Sequence, residues 1–124
     1  MRYLVILEGT QPATPPPAEL MAGIMKLGEE ATRAGVMLDN AGLAPSAAGA
    51  RVTVGGGSGL QVTDGPFAES KEMISYALYD TRTKADVVEW TSRFMALHHE
   101  LWPGWEGEAR VLKVMGPEDF APPS

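Results

Sequence analysis

The chain has no cysteine, only two histidines, and fewer basic than acidic residues, ten Lys and Arg against sixteen Asp and Glu. Without a thiol there is no disulfide, thiolate nucleophile or thiolate metal site, and sulfur redox chemistry is reduced to methionine oxidation. The formal charge of -6 repels phosphate backbones and anionic headgroups, so neither nucleic acid nor a membrane surface is an expected partner. Long apolar runs are also missing. The first, Tyr3 to Leu7, is broken by Glu8, well short of a secretory h-region or of the roughly 20 residues of a spanning helix. The expectation is a cytoplasmic protein.

What is present describes one globular domain: 124 residues, 44% apolar and 21% charged, values that fit a single hydrophobic core. Tyr3 to Leu7 is apolar on both alternating faces, the pattern of a strand covered on both sides. The proline-rich stretch Gln11 to Pro17 leads into a helix over Ala18 to Ala34, with Leu20, Ile24, Leu27, Ala31 and Ala34 on one stripe and Gly35 as its cap. Val36 to Asp39 reads as a strand. Arg51 to Val54 and Leu60 to Thr63 read as a hairpin around Gly55 to Gly59, and Ile74 to Asp80 as a further strand. Thr83 opens a second helix with the stripe Val87, Trp90, Phe94, Leu97 and Leu101, stopped by Pro103 and Gly104, and Glu108 to Met115 closes the chain as a strand.

This order predicts an α+β fold, a ferredoxin-like split βαβ sheet with an inserted hairpin. Two helices cover one face of such a sheet. Because the first strand is apolar on both faces, the other face needs a cover, and the economical one is the same face of a second copy, giving a homodimer. The alternative is that the hairpin or the C-terminal tail folds across it.

The most distinctive stretch is Asp64-Gly65-Pro66-Phe67-Ala68-Glu69-Ser70-Lys71-Glu72. Asp-Gly is a strong turn signal, Pro66 stiffens the exit, and Phe67 is suited to plug the turn into the core. Two readings are open: a structural turn built on Gly65 and Pro66, or a preset loop that presents Glu69, Lys71 and Glu72 to a substrate. The stretch resembles the signature of the DGPF-type proteins of the YCII-related superfamily. The likeness extends through Asn40-Ala41-Gly42-Leu43-Ala44-Pro45, the helix around Trp90, and Trp102-Pro103-Gly104-Trp105-Glu106-Gly107-Glu108. It implies a dimeric α+β barrel with a cleft between sheet and helices. It also implies a link to extracytoplasmic-function sigma factors, and proton transfer or elimination by a His and Asp pair on small acidic or phenolic substrates. The chain departs from that pattern in having no histidine before His98 and in placing Ser75-Tyr76 where relatives have glycines. Either these side chains fill space that glycine leaves open and change the shape of the pocket, or Tyr76 turns toward the core.

His98 and His99 are adjacent near the end of the second helix. Neighbours on a helix point about 100° apart, given about 3.6 residues per turn, so the two do not share a metal. Either they serve the negative end of the helix dipole, or His98, four residues from both Phe94 and Trp102, looks into the cleft as an acid or base. In the second case Asp64 or Glu69 orients the ring, Lys71 holds a substrate carboxylate or polarises a carbonyl, and Phe67, Trp102 and Trp105 line the pocket. The glycines at 55 to 59 lie between strands and lack the Lys-Ser or Lys-Thr of a phosphate loop. The expected activity is proton transfer, elimination or isomerisation of a small polar organic molecule with no cofactor and no metal. The competing function is a non-enzymatic module that binds a ligand or a protein such as a sigma factor.

Overall fold

The computed structural model describes residues 1–10, 14–57, 59–69 and 71–120. Strand β1 (Arg2–Gly9) is followed by helix α1 (Ala18–Arg33), β2 (Met37–Gly42), a short 3-10 turn (Ser46–Ala48), and the strands β3 (Ala50–Val54) and β4 (Leu60–Asp64). Then come β5 (Glu72–Asp80), α2 (Lys84–Leu101), β6 (Gly107–Lys113) and a 3-10 turn at Pro117–Phe120. The main sheet has the order β2-β5-β1-β6 with every adjacent pair antiparallel, and β3 and β4 form a separate two-stranded sheet.

The barrel implied by the resemblance is corrected here. The chain is a small α+β domain with two open sheets, and β2 and β6 are the edges of the larger one. Among the described residues, neither edge strand has a further strand paired to its outer side, so the sheet is open and not closed on itself.

Tyr3, Val5 and Leu7 alternate to the helix side of β1, where they are buried with Tyr79, Ala31 and Val87. Leu4 and Ile6 take the opposite side and stay partly exposed. α1 begins after Pro17 and ends in a Schellman arrangement. Gly35, at φ +76°, donates to the Thr32 carbonyl and Val36 donates to that of Ala31. Thr83 caps α2 by accepting the Asp86 amide at 3.1 Å. The two helices pack closely at Gly23, where an added Cβ would meet the Leu97 side chain at 3.3 Å.

The stripe expected on α2 faces inward, Val87 buried and Trp90, Phe94, Leu97 and Leu101 partly buried, and Thr91 and His98 widen it. Trp90 packs against the core cluster with its ring beneath the Arg93 guanidinium at 4.8 Å. Two polar side chains are tolerated inside because each has a backbone partner: Thr91 Oγ1 donates to the Val87 carbonyl at 2.8 Å, and His98 Nδ1 lies 2.9 Å from the Phe94 carbonyl oxygen.

The hairpin does not fold across the open face, and Phe120, at the end of the described tail, is 73% exposed. Residues 121–124, the rest of the tail, lie outside the described residues, as do Gln11 to Ala13 of the proline-rich stretch, Ser58 of the glycine loop and Ser70 of the signature. Among the described residues, no helix is long and apolar enough to cross a membrane.

Candidate functional site

Between the helix side of the main sheet and the helices lies a cavity of about 530 Å³, a volume suited to a small organic molecule. Leu20 and Ile24 of α1, Phe94 and His98 of α2, Ser75 of β5, and the two tryptophans after α2 are among its walls. The bulge between β1 and β5 adds Ile74, which has no pairing partner on β1. Among the described residues, no Asp, Glu, Lys or Arg lines it.

Trp105 closes one end. Gly9 and Gly107 are direct partners across β1 and β6, and the six-membered ring of the indole rests against the positions their Cβ atoms would take. The turn that brings the indole there passes through Gly104 at φ +85°. The other side of Trp105 meets the His98 ring, tilted with centroids 4.7 Å apart, and Trp102 stacks on Trp105 at 5.9 Å. Phe94 meets the imidazole edge-on at 4.7 Å. Trp105 Nε1 is buried with no hydrogen-bond partner among the described residues.

His98 is thus 4% exposed and enclosed by aromatic rings. Burial pushes its pKa below the ordinary 6.5, and the bond to Phe94 only partly opposes that. The neutral ring therefore dominates at neutral pH. With a carbonyl as its neighbour, Nδ1 must carry the proton, which leaves Nε2 as an unprotonated lone pair. Nε2 has no protein partner among the described residues.

Of the residues singled out in the sequence, His98, Trp102 and Trp105 are brought together at this cavity. Asp64, Glu69, Lys71 and Phe67 are not in its lining. Glu69 pairs with Arg51 at 2.6 Å, and the same guanidinium lies 4.3 Å over the Phe67 ring. Lys71 is exposed. The ring of His98 is oriented by the Phe94 carbonyl, not by a carboxylate of the signature loop. His99 is exposed, one residue round the helix.

The signature instead roots the hairpin. The Gly65 amide donates to the Gly49 carbonyl at 2.9 Å, and a Cβ on Gly65 would collide with the Ser46 backbone. Buried Ser46 donates to Glu72 at 2.7 Å and accepts the Phe67 amide at 3.0 Å. Tyr76 does not enter the core beside Tyr79. Its hydroxyl donates to Asp39 at 3.0 Å, and that bond to an anion raises the phenol pKa. Ser75 and Tyr76, the side chains that stand where relatives have glycines, both line the cavity, as do Asn40 and Thr91, to which the sequence reading gives no role in a site; Leu20, Ile24 and Phe94 are core residues in that reading. No group of three or more His, Asp or Glu among the described residues is placed to hold a metal ion.

No protein-family model matches the chain, and no curated protein matches it. The resemblance to DGPF-type, YCII-related proteins is therefore unsupported, and the open sheets conflict with the barrel it implies.

Proposed function

We propose that the cavity binds a small, neutral, mainly apolar molecule through a hydroxyl or phenol group donated to His98 Nε2, and that His98 moves a proton on that molecule. The observation that carries the proposal is a buried neutral imidazole with one nitrogen committed to the backbone and the other unpartnered, in a wall that lacks charged side chains among the described residues. An anionic substrate would lose its hydration on entry and find no compensating cation, a cost of several kcal/mol. Neutral ligands are selected by that penalty. Of the acidic and phenolic substrates that the resemblance implies, this favours the phenolic, and it gives Lys71, which is outside the cavity wall, no part in binding.

With a single base and no acid beside it, the chemistry best supported is removal and return of one proton, as in an isomerisation. A binding module without turnover uses the same contacts. The test is binding of fluorinated phenols, and of benzoates of the same size, to wild type and His98→Phe, followed by fluorine NMR. Phenols should bind wild type, with benzoates at least tenfold weaker, and His98→Phe should lose the preference. Equal binding of benzoates, or an unaltered preference in His98→Phe, would refute the assignment.

Self-association through the open face of the main sheet forms part of the proposal. Leu4, Ile6 and Leu78 are only partly covered there, and Leu112, the partner of Leu4, is 48% exposed. Contiguous apolar surface of this kind is uncommon on a monomer.

A further inference from the structure

We infer that the β3–β4 hairpin is an arm whose apolar face covers the open sheet face of a second copy of this chain; the inference rests on the self-association proposed above and names the element that closes it. Register pairs Val52 with Val62 and Val54 with Leu60, so these four side chains share one face of the hairpin. They are 64%, 71%, 79% and 74% exposed, respectively. Arg51, Thr53, Gln61 and Thr63 take the other face. The hairpin is therefore amphipathic, yet its apolar side touches nothing extensive in its own subunit. An isolated two-stranded hairpin is marginally stable in water, and this one needs a cover.

Its direction is fixed at the root. The Gly65–Gly49 backbone bond, the Ser46 bonds to Glu72 and Phe67, and the packing of Arg51 on Phe67 tie its base to the start of β5. Held there, the arm stands away from its own sheet, with which it makes no extensive contact. The same chain nonetheless offers the matching surface: Leu4, Ile6, Leu78 and Leu112, with Arg110 near the end of that face already paired to Glu8 and Glu108. A two-fold axis satisfies both surfaces at once, because each copy then gives an arm and receives one. From Val52 to the tip the hairpin face is wholly apolar, with Asp64 on the same face only at the root, so its outer part fits the apolar centre of the sheet at Leu4, Ile6, Leu78 and Leu112.

The experiment is sedimentation equilibrium of the full chain at micromolar concentrations for wild type, the double variant Val54→Asp/Leu60→Asp, and Leu112→Asp, with far-UV circular dichroism as the folding control. These residues are exposed in the subunit, so the variants should keep the wild-type spectrum. Wild type should be a dimer, and each variant should dissociate at least tenfold more readily. A monomeric wild type at 100 µM would overturn both the arm and the self-association. A dimer that the double variant leaves intact would overturn the arm alone. Dissociation by the hairpin variant but not by Leu112→Asp would overturn the arm-on-sheet pairing in favour of arm against arm.

Discussion

Gly107→Ala puts the shape of the sheet end to a quantitative test. Gly107 faces Gly9 across the β1–β6 pairing, and Trp105 lies over both. A methyl on Gly107 would come 2.6 Å from Cζ2 of Trp105 and 2.6 Å from the Glu8 carbonyl oxygen. Neither neighbour yields easily: the first is a rigid indole held against His98 and Trp102, and the second is the backbone of a central strand. Overpacking costs about 1–3 kcal/mol, and two stiff neighbours place this case in the upper half, about 2–3 kcal/mol. That is roughly a 30- to 150-fold loss in the folding constant. Urea unfolding followed by circular dichroism measures it. Displacing the indole also uncovers one face of His98, so the imidazole pKa should move back toward 6.5, read by proton NMR. Gly28→Ala is the control: a Cβ there meets nothing within 4 Å on α1, and relief of a helical glycine should stabilise by up to about 1 kcal/mol. A Gly107→Ala protein within about 0.5 kcal/mol of wild type, with His98 titrating unchanged, would show that the indole is not wedged as described.

Two other perturbations follow from groups already placed. Ser46→Ala removes the acceptor of the Phe67 amide and the donor to Glu72, and should cost about 1–3 kcal/mol in chemical denaturation; no change would mean that water replaces the hydroxyl. For pH, the folded state resists protonating His98, so the unfolded chain takes up a proton first as pH falls through about 6.5. Stability should be greatest above that value and decline below it until the lower folded-state pKa is reached. His98→Phe should remove that part of the decline, and superimposable pH profiles would contradict the burial of the ring.

Local patterns carried most of the secondary structure. α1 was legible because Leu20, Leu27 and Ala31 repeat at helical spacing before a left-handed glycine, and α2 because Thr83 and Asp86 form its cap. The face that α2 buries was legible only in part. Val87, Trp90, Phe94, Leu97 and Leu101 do turn inward, Trp90 against the core cluster, but Thr91 and His98 are buried as well, since each can spend its polar atom on the carbonyl four residues earlier. Side-chain type does not reveal that choice. His98, Trp102 and Trp105 could be read as a group because they follow one another through a helix end and a tight turn. The carboxylate partner could not, since Asp64 and Glu69 were joined to His98 only by an assumed fold, and the hairpin root holds them elsewhere. The Ile74 bulge and the Gly9–Gly107 seat for Trp105 depend on register between distant strands, to which a single sequence gives no access. The barrel came from resemblance alone, and the sheet is open at both of its edges.

The stacking of Trp102 on Trp105, and the tilted contact of Trp105 with His98, also make the cavity optically self-reporting. An imidazolium is an efficient quencher of an adjacent excited indole while neutral imidazole is not, and a bound molecule alters the polarity around both rings. Trp90 is not in the cavity wall and packs under Arg93, so its emission supplies a steady reference. Occupancy and protonation at this site can therefore be followed by intrinsic fluorescence, without a label and before any ligand is known.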